Sequence, residues 1–391
     1  MVKNLFTPPD FSREDLAQAP NVRTEAVSKE GVAPSGFYLT SHMPTYYKVD
    51  GEWYIPPRSS LCCNAVLRDG KIEIVELRDL KVGDQVVMAR STDGSEGVLT
   101  YGEGFAKSVM SERGISAESS NTQSYHELYE LLKHEKENNG YIVWVLGPAV
   151  VFDHDTRESL SKLAEAGFVH SLLGGNAMAT HDLEGGYLNT ALGQDIYTQV
   201  SVPNGHYNHL DLLNAVRRAG SIDEFIAAGN VKDGFIKTLK QLDTTITLAG
   251  SIRDDGPLPE VTADVNVSLT NAKKETDKAT LIICIATMLH SVSTAELASS
   301  YRLDKAGNVV PVFLYTVDVT ENAVHKVSAA RDHIAVRAQI TNVQDFVVNI
   351  EREMVEDSAR ASASVALAEP AYLEIKKVEQ ADSEAQAELD K

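Results

Sequence analysis

The sequence predicts an α/β protein in which a doubly wound parallel sheet follows an antiparallel, β-rich N-terminal module. Three observations lead to this class. Six continuous apolar runs, "YIVWVLG", "FVHSLLGG", "TTITLAG", "TLIICIA", "VVPVFLYTVDV" and "HIAVRAQIT", recur in the second half of the chain. Continuous rather than alternating apolarity is what a strand buried on both faces requires. Segments of helical character separate most of these runs, as parallel crossovers demand. Up to about Gly104 the runs are shorter and are punctuated by "VDGE", "RDGK" and "VGD", turn chemistry suited to antiparallel hairpins.

Taken in order, "GFYLTSH", "YYKVDGEWYI", "SSLCCNAVL", "KIEIVEL" and "DQVVMA" are the expected strands of a module covering residues 1–120. "YHELYELLKHEKENNG" then sets Leu128, Leu131 and Leu132 at helical spacing and stops at Asn-Asn-Gly, opening the main domain over 121–350. Two later helices have capping-box spacing, "DTRE" from Asp155 to Glu158 and "SIDE" from Ser221 to Glu224. "VSTAELASS" reads as a helix after the "TLIICIA" strand. The tail, 351–391, is acidic and rich in alanine, and no chemistry is assigned to it.

With 391 residues the chain exceeds what one core usually serves, so two substructures are expected. Apolar residues at 43% and charged residues at 24% are ordinary for a folded protein. The net charge of -20, from 56 acidic against 36 basic residues, disfavours nucleic acid and anionic membrane surfaces as partners; it keeps the protein soluble and would also favour a small cation. No apolar run approaches the roughly 18 residues of a membrane span. Cys62, Cys63 and Cys284 form no disulfide framework, and the opening "MVKNLFTPPDFSRED" has no apolar signal core. A reducing cytoplasm is the expected compartment.

Ligands of open α/β sheets bind beyond the C-terminal ends of the strands. Three runs empty into polar loops there. "FVHSLLGG" leads into "NAMATHDLEGG", with Asn176, His181, Asp182 and Glu184; "TITLAG" leads into "SIRDDGPLP", with Arg253, Asp254 and Asp255; "LIICIA" leads into "TMLHS". No G-x-G-x-x-G follows a strand. Even so, strand, tight turn and helix in "LIICIATMLHSVSTAEL" offer backbone N–H groups to a pyrophosphate. Asp318, ending the next strand, offers a carboxylate to ribose hydroxyls, which favours NAD over its 2′-phosphorylated relative. His206 and His209 share helical i, i+3 spacing, but spacing fixes no third ligand, so they are read as a packing or hydrogen-bonding face and no metal is expected. Cys62 and Cys63 are read as buried structural thiols.

Eight segments in one order carry a resemblance: "GFYLTSHMPT" with "GEWY", "LKVGDQVV", "VWVLGPAVV", "GGNAMATHDLE", "GHYNHLDLLNAVRRAGSI", "AGSIRDDGPLP", "ATMLHS" and "VDV". From about Gly36 to about Phe346 the chain resembles the archaeal-type ornithine cyclodeaminases. These are similar to the C-terminal region of the bifunctional arginine dihydrolase/ornithine cyclodeaminases, and the family is also labelled a lysine-oxoglutarate reductase/saccharopine dehydrogenase conserved region. The resemblance implies a Rossmann-like NAD-binding catalytic domain that converts L-ornithine to L-proline and ammonia, with NAD recycled within the turnover. It implies an NAD site built from Asn176, Ala177, Asp255, Thr287, Met288, Leu289, His290, Asp318, Asn342 and Val343. Asn342 stands where the family usually has Asp. For the implied chemistry Arg253 is the candidate for the substrate α-carboxylate, and His181, Asp182, Glu184 and Asp254 are candidates to deprotonate and steer amines. A redox enzyme acting on another amino acid or imine, and a non-catalytic NAD-binding regulator, are the alternative readings. A homo-oligomer is expected.

Overall fold

A computed structural model of the chain describes residues 5–110, 122–252, 254 and 256–356. The tail beyond residue 356 lies outside the described residues, as do Arg253 and Asp255. After a short helix α1 (Glu14–Ala17) come β1 (Arg23–Ala26), β2 (Thr45–Val49), β3 (Glu52–Tyr54), β4 (Asn64–Arg68), β5 (Lys71–Val75), β6 (Gln85–Met88) and β7 (Val98–Thr100). They form two antiparallel sheets, ordered β1-β6-β4-β5 and β3-β2-β7. Asp50-Gly51 and Asp69-Gly70 turn the β2–β3 and β4–β5 hairpins with both residues at positive φ, the geometry that matches strand twist. Tyr47 and Val98 from one sheet pack with Ala65 and Val87 from the other.

Two expectations are corrected here. "GFYLTSH" makes only isolated bridges, Phe37 to Met88 of β6 and Leu39 to Asn64 of β4, lying where the β4–β6 ladder has ended at the Val66–Val86 pair. Cys62 is exposed, at φ 58, and only Cys63 is buried, both ahead of β4 rather than in it.

The second part runs α2 (Thr122–Glu137), β8 (Ile142–Leu146), α3 (His154–Glu165), β9 (Ser171–Gly175), α4 (Asn176–Leu188), a small hairpin of β10 (Thr190–Ala191) and β11 (Gln194–Asp195), α5 (Asn208–Ala219), α6 (Ile222–Ala227), α7 (Phe235–Gln241) and β12 (Thr245–Ala249). It continues through α8 (Val265–Thr276), β13 (Leu281–Ile285), α9 (Met288–Leu297), a hairpin of β14 (Tyr301–Leu303) and β15 (Val309–Pro311), β16 (Phe313–Asp318), α10 (Glu321–Ala330), β17 (Val336–Ile340) and α11 (Val343–Glu351). Each of the six apolar runs contains one strand of a six-stranded, wholly parallel sheet ordered β12-β9-β8-β13-β16-β17. Numbered by appearance this is 3-2-1-4-5-6, the doubly wound order of a Rossmann fold, with its reversal between β8 and β13.

β8 shows why its sequence is apolar without interruption. Ile142, Trp144 and Leu146 join a core with α3, α4 and α11, while Val143 and Val145 join a second core on the opposite face with Ala295 of α9 and Val327 of α10. All five are fully buried. Capping sets the helix starts. Ser221 accepts from the Glu224 N–H at 3.0 Å, as its sequence predicts. α3 starts two residues earlier than "DTRE" suggests, because Asp153 rather than Asp155 accepts from the Thr156 N–H at 2.9 Å.

The two parts are tied together by hydrogen bonds to backbone. Tyr301 donates to the Pro56 carbonyl at 3.1 Å, Ser60 to the Leu297 carbonyl at 3.0 Å and Arg58 to the Ala279 carbonyl at 2.9 Å. His42, fully buried at this junction, meets the Ala330 carbonyl through Nε2 at 3.1 Å. Burial, reinforced by Arg331, pushes its imidazole down to about 4.

Candidate active site

Strand β9 passes into α4 without a loop, with Gly175 as the N-cap in extended conformation. α4 has no single apolar face, and Asn176, Thr180, His181, Asp182 and Glu184 are all buried with its aliphatic residues. Buried polar groups need partners, and tracing them separates the expected catalytic residues into two sets.

His181 and Glu184 form one set. The Nδ1 of His181 lies 2.8 Å from Glu184 Oε2. Glu184 is fully buried and takes three further donors: Thr190 Oγ1 at 2.7 Å, Leu192 N at 3.2 Å and Gly193 N at 3.2 Å. Leu192 N also lies 3.3 Å from Nδ1, but the 2.8 Å contact to a carboxylate otherwise met only by donors is the shorter one and takes a proton from Nδ1, which leaves the lone pair on Nε2. His181 lines a cleft of about 340 Å³ together with Asn176, Ala177, Thr180, Leu192 and His209, and Ser251 and Asp254 also contribute to it. Asp254 is anchored there by Ser251, whose N–H it accepts at 2.8 Å. Asn176 spends its oxygen on the Leu258 N–H at 3.0 Å, pinning Leu258 to α4.

Asp182 belongs to the second set. It is fully buried and turned away from His181. Its Oδ1 pairs with Arg157 Nε at 2.9 Å and accepts from Phe235 N at 3.1 Å, and its Oδ2 accepts from Ile236 N at 2.7 Å. Asp182 is therefore the anion at the start of α7 and the counter-ion of a buried arginine, with no acceptor capacity directed at the cleft. Gly185 and Gly186 permit this: a Cβ on Gly185 would sit 2.8 Å from Arg157 Cζ, and one on Gly186 would sit 2.2 Å from the Asp233 carbonyl.

The remaining expected residues line the C-terminal edge of the sheet. β13 ends at Ile285, Ala286 follows at φ 56, and α9 begins at Met288 behind the N-cap Thr287, with no side chain capping its first N–H groups. Met288 and Leu289 are exposed. His290 packs so closely that a Cβ on Gly175 would meet its Cε1 at 2.9 Å, which joins the α9 start to the α4 start; burial lowers its pKa. Asp318, at the end of β16, accepts from Thr320 through Oδ1 only, so Oδ2 has no partner among the described residues. Asn342 caps α11, accepting from Gln344 N at 2.9 Å and Asp345 N at 3.1 Å, and Val343 is buried in the core. These two stand at the far strand, β17, and their side chains have structural partners. His206 and His209 do not share a helix face, since His206 lies in a single 3₁₀ turn before α5. No group of side chains fit to hold a metal occurs among the described residues.

Arg157, Thr190, Leu192 and Asn208 carry no motif that marks them as site residues in the sequence. The local signal was "NTALGQD", where Leu192-Gly193 forms a two-residue hairpin turn with φ 52 and 77, directing both turn N–H groups at Glu184.

A family model for the C-terminal Rossmann-fold region of arginine dihydrolase ArgZ-like proteins matches residues 126–350. An ornithine cyclodeaminase of Archaeoglobus fulgidus is 36% identical over 304 residues, spanning 75% of this chain and 70% of the relative. The chain belongs to the ornithine cyclodeaminase family. Among solved structures of similar proteins, a conserved LOR/SDH protein from Methanococcus maripaludis S2 matches with a TM-score of 0.76 at 26% identity, over 87% of this chain and 99% of that one. AgrE, solved in a ternary complex with ornithine and NAD+, matches with a TM-score of 0.55 at 27% identity, over 88% of this chain and 47% of that one. The ornithine cyclodeaminase family thus accounts both for the Rossmann sheet and for the N-terminal module, since the matches extend well beyond residues 126–350.

Proposed function

We propose that this chain is an NAD-dependent ornithine cyclodeaminase that converts L-ornithine to L-proline and ammonia. The observation that carries the reading is the His181–Glu184 pair at the wall of a cleft on the C-terminal edge of a Rossmann sheet. Family membership and the AgrE complex with ornithine and NAD+ support it. So does the net charge of -20, which favours a cationic amino acid.

The residues present fit the nucleotide. The uncapped start of α9, Thr287 to His290, presents backbone N–H groups to a pyrophosphate; Asp318 keeps Oδ2 for a ribose; the exposed side chains of Met288, Leu289 and Val319 offer apolar surface for flat rings. Asn176 and Ala177 stand between this edge and the cleft. When bound, NAD supplies reversible removal and return of a hydride at the substrate's α-carbon, so no net reduction is expected. Within the cleft, His181 Nε2 is the proton acceptor for a substrate amine, Asp254 steers the cationic group, and Glu184 holds the imidazole. Arg253, next to Asp254 in the sequence, is assigned the α-carboxylate. Asp182 is assigned to stability rather than to proton transfer. The proposal includes a cytoplasmic homo-oligomer with the N-terminal module and sheet domain dividing near residue 120; no described helix is long and apolar enough to cross a membrane.

The test is to release and identify any bound nucleotide, then to follow proline, ammonia and NADH absorbance together on addition of L-ornithine. Equal proline and ammonia with no net NADH is the expected result. Stoichiometric NADH, or bound NAD without proline, would replace the assignment with one of the redox or regulatory alternatives.

A further inference from the structure

The buried carboxylate beneath His181 is itself held by a directional chain of hydrogen bonds. Glu184 has no donor of its own, so the Thr190 hydroxyl, 2.7 Å from Oε1, must donate to it. The Thr190 oxygen is then left as an acceptor, and Asn208 Nδ2 lies 2.8 Å from it. That contact fixes the orientation of the Asn208 amide, with its N–H side towards Thr190. On the other carboxylate oxygen, Leu192 N donates to Oε2 beside the His181 ring. The protons of the set converge on Glu184, from Asn208 through Thr190, from the two turn amides and from His181 Nδ1, with the Leu192 N–H shared between Glu184 Oε2 at 3.2 Å and His181 Nδ1 at 3.3 Å. The turn is built for this, because Leu192 holds a left-handed backbone conformation that a branched side chain seldom adopts.

We infer that Thr190 and Asn208 are positioning residues, which hold Glu184 so that His181 keeps its proton on Nδ1 and presents Nε2 to the cleft. The inference rests on reading that cleft as the reaction site. It adds a link between two walls, because Asn208 is the first residue of α5 and its neighbour His209 lines the same cleft. Seating α5 therefore sets the base on α4. Neither Thr190 nor Asn208 lines the cleft, so they act on it through Glu184.

Three variants of the full-length holoprotein test this, with ¹⁵N NMR of the histidine rings and steady-state kinetics as readouts. Thr190→Val removes the donor at nearly constant volume. Asn208→Asp replaces the terminal donor with an acceptor, so the Thr190 hydroxyl turns towards residue 208 and away from Glu184. Thr190→Ser keeps the chain intact. We expect the first two to lower kcat by about 10- to 100-fold with little change in KM, and to shift the His181 resonances away from the single Nδ1–H tautomer. Thr190→Ser should restore both. If Thr190→Val does not fold, Asn208→Asp, at a partly exposed helix start, carries the test alone. Wild-type His181 resonances in Asn208→Asp would overturn the inference. Because the NMR readout needs no turnover, a protein inactive on ornithine would count against the proposed reaction and leave this inference to be decided by the spectra.

Discussion

On a helix one residue turns a side chain by about 100°, and three residues return it to nearly the same face. That geometry decides which acids of "HDLE" work together. His181 and Glu184, three apart, meet at 2.8 Å, whereas Asp182 is carried round to Arg157 and the first turn of α7. The residue types were legible in the sequence, as was their placement at the end of β9. Their division was not, because it depends on Arg157 and Phe235, which lie 25 and 53 residues away from Asp182. Asp182→Ala should therefore cost about 3–5 kcal/mol of stability, read as a lowered denaturant midpoint, since it strands a buried guanidinium and uncaps α7. A variant of unchanged midpoint that has lost turnover alone would return Asp182 to the catalytic set.

Among elements, the six parallel strands were legible because burial on both faces writes an uninterrupted apolar run. β1, "RTEA", was not, since it is a mostly exposed edge strand that owes its existence to pairing with β6. Helix starts were legible where the cap is the obvious residue, as at Ser221, and misplaced where a second acid competes, as with Asp153 and Asp155. The start of α11 gives a discriminating case. The family resemblance assigns Asn342 to the cofactor, yet its oxygen accepts from two N–H groups of that helix. Asn342→Ala should lower the melting temperature by an amount equivalent to about 1 kcal/mol, and Asn342→Asp should be close to neutral, because either side chain caps. Should Asn342→Ala melt like the parent and bind NAD far more weakly, the residue contacts nucleotide instead.

For the molecule as a whole, the buried junction between module and sheet makes stability depend on acid. His42 is held at about 4 in the folded chain, below the ordinary 6.5, and burial lowers His170 and His290 in the same direction. The unfolded chain takes up the His42 proton first, so the stability it allows is complete above pH 6.5 and is lost as pH falls from there towards 4. The unfolding free energy should drop by a few kcal/mol across that window, and His42→Asn should flatten the slope. Equal slopes for variant and parent would show that His42 does not couple docking to pH. The strand order carries a different consequence, for the chain as it leaves the ribosome. β8 occupies the middle of the sheet, yet its partner β13 is made about 140 residues later. At about 5–20 residues per second that edge, "IVWVL", stays open for about 7–28 s during synthesis. An unpaired apolar edge of that kind is the segment most exposed to mispairing with another nascent chain. Production of the soluble protein should therefore improve with slower translation or with chaperones that cover strand edges.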